Sequence, residues 1–358
     1  MAYSSKKTSF TPKSRQIGPQ IRGTIPSLHN NLLLTSTGVP SIDSLVGCIP
    51  IGTILLLEED KYQNYSQMIM KYFLSEGIEC GHDIYFASGD VDVDTFVKQL
   101  PSAIPRKDVQ ENNSFSGNEL KIAWRYEKNY DQTTFKKFSL GRNFDTTKAI
   151  PSEKLVKCNI TTFDALDEHE KTKSCVFNQL FTKIKSKLTE SGYTAIALER
   201  MPSKIMRIAI SGMASPQWSA QNNQLSLIQF IYKLRYLLRS SLAVCLITVP
   251  TISWEDSSFI SRMRHVCDTV IRLESFAASD KETNPLYKDF HGLIKIEKLP
   301  RLNSLVCRSH EDIRDLAFKL RKKKFSVEKL HLPPLDSEEP RVQNFCSSKP
   351  GGNKRIEF

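Results

Sequence analysis

The chain has 358 residues, 40% of them hydrophobic, and a formal net charge of +11. This length can bury one large core with peripheral excursions, or two small domains, and one large domain is the first expectation. No run approaches the roughly 18 consecutive apolar residues of a membrane span, and the N-terminus lacks the apolar core of a signal peptide. These features argue against the membrane and secreted classes, so we expect a cytoplasmic and nuclear protein without membrane contact.

The cysteines and histidines form no recognisable chemical motif. Eight cysteines lie far apart without a C-x-x-C pair, and no histidine stands at zinc-ligand spacing from them. We interpret the cysteines as reduced, mostly buried thiols. The seven histidines are scattered as well, so the sequence predicts no catalytic residue, no metal and no cofactor in this chain.

The N-terminal region carries nearly half of the positive excess, because residues 1–42 contain five basic residues and no acid. A mitochondrial presequence also lacks acids, but Pro12, Pro19 and Pro26 interrupt the amphipathic helix that it needs. We therefore interpret residues 1–30 as a disordered basic arm. The remaining excess suits a polyanionic partner through counterion release, although a modest positive balance is also common in proteins that bind no nucleic acid.

Residues 31–335 are expected to form one domain that opens with a strand–helix–strand unit. Ser41 is placed to cap a short helix that stops at Gly47. The apolar run Thr53–Leu57 is followed by three acids, as expected for a strand buried on both faces. The next elements are a helix at Ser66–Glu76, ending at Gly77, and a strand at Asp83–Ser88.

The rest of the chain continues the same α/β pattern. Residues 101–175 are poorer in apolar residues and are interpreted as an excursion on the domain, and Tyr193–Leu198 is ambiguous between a strand and a helix end. A sheet of about six or seven strands is expected, and residues 336–358 are polar enough for a flexible tail. The downstream elements are helices at Val176–Leu188 and Leu225–Leu238, strands at Met206–Ile210, Leu242–Val249, Val270–Glu274 and Gly292–Ile296, and an apolar-periodic helix ending at Arg321–Lys324.

A strand, loop and helix preceded by the T-G-x-x-x-x-D segment Thr37–Asp43 resemble the entrance of RecA-like and KaiC-like ATPases. Those enzymes need G-x-x-x-x-G-K-[ST] in the loop. The glycines let backbone N–H groups surround the phosphates, the lysine neutralises them, and the hydroxyl ligates magnesium.

The loop departs from that motif at nearly every position. In the best register the two glycines, the lysine and the hydroxyl residue are replaced by Glu59, Asn64, Tyr65 and Ser66, so only the hydroxyl is retained. Three consecutive acids at 58–60 add negative charge where a triphosphate needs positive charge, and residues 53–76 contain no glycine. We predict that this loop does not bind ATP.

The second nucleotide element of such folds is an apolar strand that ends in an acid. The matching strand, Arg207–Ile210, is followed by Ser211-Gly212-Met213 and has no acid in place. The alternating acids Asp90, Asp92 and Asp94 are interpreted as a loop that caps the helix around Thr95–Leu100, in preference to metal ligands. The sequence thus predicts an α/β, RecA-like P-loop NTPase fold, with a mainly parallel sheet flanked by helices and a degenerate, non-functional P-loop.

Long stretches of the sequence resemble one family, the fourth subunit of the Elongator complex, and animal members in particular. The likeness covers about four fifths of the chain and leaves out the N-terminal arm and residues 336–350. It is carried by TGVPSIDSLVGCIPIGTILLLEED at 37–60, KIAWRY at 121–126, RIAISGMASPQW at 207–218, LITVP at 246–250, CDTVIRLESFAASDKETNPLYKDFHGLIKIEKLPRLNSL at 267–305, DLAFKLRKKKFSVEKLHLPP at 315–334 and GGNKRIEF at 351–358.

This resemblance implies a RecA-like subunit that joins Elongator subunits five and six, two copies of each, in a heterohexameric ring. The ring would dock on the catalytic Elongator subunits, bind tRNA and support modification of the wobble uridine with a carboxymethyl-type group at C5. That chemistry belongs to another subunit. The family's ring is an ATPase whose turnover releases tRNA, and the loop at 58–66 puts a contribution by this chain in doubt.

Two basic groups are the candidates for RNA contact. The first is interleaved with Trp124, Tyr126 and Phe138, which suits phosphate pairing plus base stacking. Its members are Arg125, Lys128, Lys136, Lys137 and Arg142. The second is Arg321, Lys322, Lys323 and Lys324, where positive charge also suits the end of the expected helix. The alternative for both groups is that the aromatic residues belong to the core or a subunit interface and the basic side chains are merely solvated.

Three functions remain open at this point. The first is a non-catalytic assembly and tRNA-binding subunit. The second is an active RecA- or KaiC-type ATPase that uses a degenerate loop or a nucleotide site shared with its neighbour. The third is a pure interaction protein that does not contact RNA.

Overall fold

The computed structural model describes residues 21–27, 32–105, 140–167, 175–194, 203–218, 224–303, 315–321 and 324–330. The strands are β1 (Thr24–Pro26), β2 (Leu33–Thr35), β3 (Ile49–Pro50), β4 (Ile54–Glu58), β5 (Asp83–Ser88), β6 (Pro101–Ala103), β7 (Phe144–Ala149), β8 (Ile160–Asp164), β9 (Met206–Ser211), β10 (Ala243–Val249), β11 (Thr269–Ser275), β12 (Gly292–Lys298), β13 (Leu316–Arg321) and β14 (Lys324–Lys329).

The α-helices are α1 (Pro40–Ile42), α2 (Asn64–Cys80), α3 (Val93–Lys98), α4 (Ser152–Lys157), α5 (Val176–Glu190), α6 (Gln224–Arg239), α7 (Ser257–Val266) and α8 (Asp280–Thr283). A π-helical segment, Asp43–Gly47, follows α1, and 3₁₀ turns lie at Pro216–Trp218, Thr251–Ser253 and Pro285–Tyr287. None of the helices in the described ranges combines the length and apolarity that crossing a membrane requires.

A nine-stranded sheet forms the centre of the domain, in the order β14-β13-β12-β11-β4-β10-β9-β5-β8. Neighbouring strands are parallel from β11 to β8 and antiparallel from β11 to β14. This mixed α/β architecture, with a large, mostly parallel sheet between helices, is compatible with the RecA-like fold expected from the sequence. The sheet is wider than the expected six or seven strands, because β8, β13 and β14 were not expected as strands.

Each face of the sheet packs against its own helices. Leu55 and Leu57 of β4 point to the side covered by α2 and α3, whereas Ile54 and Leu56 point to the side covered by α5, α6 and α7. A strand buried on both faces must be apolar at every position, which explains the unbroken apolar runs in the sequence. The apolar runs read from the sequence as buried strands supply much of this core, and no side chain in the following set is more than 2% exposed: Leu55, Leu57, Ile84, Phe86, Ile208, Val244 and Leu246.

The T-G-x-x-x-x-D segment is a turn held by its own aspartate. Asp43 accepts hydrogen bonds from the backbone N–H and the hydroxyl of Thr37, both at 2.7 Å, and from the Ser36 hydroxyl. Burial raises the pKa of Asp43 to about 6. Gly38 has φ +89° and lies against the backbone of Tyr72 so closely that a Cβ atom would clash.

Two predicted helix boundaries were wrong. Ser41 lies inside α1, whose N-cap is Val39, and its hydroxyl accepts a hydrogen bond from the Val327 backbone at 3.0 Å. The helix predicted to stop at Gly77 continues to Cys80. The glycine is needed there for space, because a Cβ atom would sit 2.8 Å from the Arg207 side chain.

The helix predicted to end at Arg321–Lys324 was also wrong. Residues 316–321 and 324–329 form the antiparallel pair β13 and β14, in which Phe318 faces Val327 and Leu320 faces Phe325. Burial alternates along β14, with Phe325 and Val327 inside and Lys324 and Glu328 outside, which is the strand period of two. Pairing with a distant strand overrides the local helical periodicity here.

The N-terminal part of the described chain is fastened to the core by Arg207, which is fully buried on β9. Its guanidinium donates to the Thr35 hydroxyl at 2.7 Å, the Ser36 carbonyl at 2.9 Å and His82 Nδ1 at 3.1 Å. Burial and the adjacent Arg207 lower the pKa of His82 to about 3, so its neutral ring can accept from Arg207. Residues 21–27, placed in the basic arm by sequence, include strand β1.

Candidate functional site

The loop between β4 and α2 lies at the edge where the parallel strands β4, β10, β9 and β5 end. Ligands of open α/β sheets bind at this carboxyl edge, so it is the first place to look for a site. Glu58 is fully buried there and accepts from Arg264 of α7, with Nη2 and Oε2 2.8 Å apart. The first of the three acids is therefore neutralised within the chain.

Asp60 lies at the N-terminus of α2. Its Oδ1 accepts from the backbone N–H groups of Tyr65 at 3.2 Å and Ser66 at 3.0 Å, which belong to the first turn of α2. The Ser66 hydroxyl donates to the Gln63 carbonyl at 3.0 Å. Free N–H groups at a helix N-terminus attract anions, and here a carboxylate of the same chain engages two of them.

Glu59, between Glu58 and Asp60 in the sequence, is only 4% exposed. Burial, opposed by a hydrogen bond from Thr248 and assisted by the charges of Asp90 and Asp60, raises the pKa of Glu59 to about 7. Glu59 Oε2 and Asp60 Oδ2 are buried without a hydrogen-bond partner in the described part of the chain. An adjoining cavity of about 280 Å³ is lined by both acids together with Tyr62 and Ile252.

Asp90 was predicted to belong to the loop that caps the next helix, and its place at this carboxyl edge was not recognised from the sequence. It directly follows β5, accepts a hydrogen bond from the Ser215 hydroxyl in the loop after β9, and lies against Gly212. Its position at the end of a parallel strand was the available signal. Asp92 does cap α3 as predicted, accepting from the Thr95 backbone at 3.1 Å. Within the described ranges, no three His, Cys, Asp or Glu residues are arranged to hold a metal ion.

The basic groups are only partly within the described structure. Nine predicted residues lie outside the described ranges, namely Trp124, Arg125, Tyr126, Lys128, Lys136, Lys137, Phe138, Lys322 and Lys323. Arg142 is described, and it faces inward. It donates from Nη1 to Glu76 at 3.2 Å and from its backbone N–H to the same carboxylate at 3.1 Å. Arg142 therefore anchors the start of β7 to α2.

Arg142 and Lys324, 182 positions apart in the sequence, line one narrow cleft between the β6–β7 and β13–β14 hairpins. Tyr72 of α2 joins the two hairpins, because its ring lies 5.7 Å from that of Phe144 and 6.5 Å from that of Phe325. Arg321 and Lys324 are exposed. The structure thus brings the described members of both predicted groups to one edge, and RNA contact there stays a prediction.

The fold and these sites define a class of protein: a mixed α/β domain with a large, mostly parallel sheet, in which two of the three acids between β4 and α2 are engaged within the chain. The sequence matches the PAXNEB protein family over residues 18–358. It is 37% identical to Elongator complex protein 4 of Xenopus laevis, over 98% of this chain and 95% of the relative. The identity is also 37% to the proteins of that name from Homo sapiens, over 100% and 95%, and Danio rerio, over 100% and 98%. The chain belongs to the Elongator complex protein 4 family, which confirms the resemblance.

Proposed function

We propose that this chain is a non-catalytic, RecA-like scaffold subunit of Elongator. It joins subunits five and six in a heterohexameric ring, and that ring binds tRNA, docks on the catalytic subunits and supports wobble-uridine modification. Family membership supports the place in the complex. The non-catalytic part is supported by one observation, the hydrogen bonds of Asp60 to Tyr65 and Ser66.

The charge of the loop supports the same conclusion. A phosphate entering at the start of α2 has to displace Asp60, which is 2% exposed, and has to approach the acidic side chain of Glu59. A phosphate and a carboxylate that come close together in a partly dehydrated site repel each other strongly. A restored lysine at position 65 therefore supplies one positive charge and leaves the occupied N–H groups unchanged.

The tRNA part of the proposal depends on the cleft between the hairpins. Arg321 and Lys324 are exposed beside it, and Arg142, the described member of the other predicted group, lines it. Basic residues grouped at one edge bind the phosphates of RNA without reading its sequence.

A shared nucleotide site is the second candidate. Glu59, with a pKa near 7, lies close to Asp90 at the carboxyl edge, and a carboxylate of that pKa suits proton transfer to or from water. In that case a neighbouring subunit supplies the positive charge that this loop lacks.

The composition of the native particle tests the scaffold proposal. We expect the mass of the particle recovered with the tagged full chain to match two copies each of this chain and two unlike partners, with tRNA bound. A stable, soluble homohexamer of this chain alone contradicts the proposal.

A further inference from the structure

Helix α6 shows an apolar face to the outside of the domain. Of the seven large hydrophobic side chains that are exposed in the described ranges, Leu225, Tyr232 and Tyr236 lie on this helix, and they are 64%, 51% and 81% exposed. With the half-buried Ile228 they are spaced by three, four and four residues, so they form one stripe about 16 Å long.

The neighbouring helix of the same layer has no such face. The exposed positions of α5 within Val176–Glu190 are all polar, namely Asn178, Thr182, Lys183, Lys185, Ser186, Thr189 and Glu190. An amphipathic helix normally keeps polar residues on its solvent side, and α5 follows that rule. The stripe on α6 departs from it, which is typical of a surface that another molecule covers.

A groove lies beside the apolar stripe. Helices α6 and α7 enclose a groove of about 300 Å³, lined by Ile228 and Tyr232 on one side and by Ser261, Arg262 and His265 on the other. A groove between two packed helices, next to a row of apolar side chains, has the shape that receives a third helix.

The two titratable side chains that line this groove, Arg262 and His265, are both basic. Neither α6 nor α7 contains an aspartate or glutamate. Arg235 and Arg239 turn away from the rim to pair with Asp268, and Arg264 pairs with Glu58. Two exposed acids, Glu255 and Asp256, precede α7. Asp256 caps the helix by accepting hydrogen bonds from the Ser258 and Phe259 backbone. Arg262 and His265 are exposed at the groove, and Lys233 is exposed next to Tyr232 on α6.

We propose that the α6–α7 groove binds an acidic amphipathic helix of a partner protein. The partner helix places apolar residues at i, i+3 or i+4, and i+7 on Leu225, Ile228, Tyr232 and Tyr236, and it directs carboxylates at the basic rim. About three turns of helix match the length of the stripe. A protein is favoured over RNA because Leu225 and Ile228 are aliphatic and offer no surface for base stacking.

This proposal does not rest on the tRNA-binding proposal. The stripe belongs to the helix layer on one face of the sheet, whereas Phe318 and Phe325 of the basic hairpin pack with α2 on the other face. The two surfaces can therefore be changed independently.

The test is photocrosslinking in the full chain, expressed in cells of its source organism. A p-benzoylphenylalanine replaces Tyr236, and the matched control carries it at Val156 of α4, which is 86% exposed on another surface. We expect position 236 to yield crosslinks to one protein segment with net negative charge and helical apolar spacing. The double variant Lys233→Glu, Arg262→Glu should lower that yield at least tenfold, with an unchanged melting temperature as evidence of folding.

A synthetic peptide of the crosslinked segment then completes the test. By fluorescence anisotropy it should bind the wild-type chain and bind the Tyr232→Asp variant at least tenfold more weakly. The proposal is overturned if position 236 gives no more crosslinks than position 156, if the adducts are nucleotides or a second copy of this chain, or if the segment is neutral or basic. An unchanged yield in the charge-reversed variant also overturns it.

Discussion

Charged residues are concentrated in two regions, the strand-to-helix loop at residues 58–66 and the hairpin edge around Lys324. The two regions differ in how many of these charges are paired within the chain. In the loop, Glu58 pairs with Arg264 and Asp60 accepts from the start of α2, so the carboxylates serve the chain's own structure. At the hairpin edge Arg142 is likewise engaged by Glu76, whereas Arg321 and Lys324 remain exposed to solvent. Charge that is satisfied within the chain stabilises the fold, and exposed charge is available to a partner.

The largest expected effect comes from breaking the internal pair at the hairpin edge. Glu76 is 1% exposed and accepts from the guanidinium and the backbone N–H of Arg142, so Glu76→Ala leaves a partly buried guanidinium without its carboxylate partner. We expect a loss of about 3 kcal/mol in the free energy of unfolding, measured by urea denaturation.

The matched control is Lys154→Ala, which removes the more exposed ion pair with Glu79. It should cost less than about 1 kcal/mol, because such pairs are screened by water. Equal losses in the two variants would mean that Glu76 and Arg142 are not the anchor described here.

The next effect is a pH dependence that comes from Glu59. Its pKa rises from 4.5 to about 7 on folding, so the folded state holds the proton more tightly than the unfolded state does. The stability that this proton provides is fully present below pH 4.5 and is lost as the pH rises through 7. The variant Glu59→Gln should therefore gain about 2 kcal/mol over wild type at pH 8 and little at pH 5.

Urea denaturation of both proteins at the two pH values measures this difference. Asp43, whose pKa is raised to about 6, contributes a similar slope that should persist in the variant. A gain of the same size at pH 5 would show that Glu59 does not titrate as described.

The smallest effect is expected from the exposed charge. Lys324→Glu should weaken tRNA binding by the assembled ring about threefold to tenfold, and lower the slope of log affinity against log salt by about 1. The control, Lys185→Glu on α5, makes the same change of charge on another surface. Filter binding at several salt concentrations measures both, and identical weakening by the two variants would locate the RNA elsewhere.

Local patterns in the sequence predict the centre of this fold well. Strands such as Asp83–Ser88 and Ala243–Val249 are buried on both faces, so their apolar runs identify them without knowledge of their partners. The β13–β14 pair was missed because its stability depends on cross-strand contacts such as Phe318 with Val327, which periodicity along one segment does not reveal.

The sites show the same limit. The sequence alone shows that three acids at 58–60 disfavour phosphate binding. The hydrogen bond from the Ser66 N–H to Asp60 could not be predicted, because it depends on the conformation of the loop. The ion pair of Arg142 with Glu76 was not predicted, because Glu76 lies 66 positions earlier in the sequence and no local pattern links the two residues. The contact of Asp90 with Ser215 was not predicted for the same reason, since Ser215 follows a different strand.

The central claim is that the loop at 58–66 binds no nucleotide, and calorimetric titration of the purified wild-type chain with Mg-ATP tests it most directly. Ser66→Ala, which removes the retained motif hydroxyl, is titrated in parallel. The account predicts no binding heat for either protein. Micromolar binding by the wild type that Ser66→Ala abolishes would contradict it and favour the ATPase.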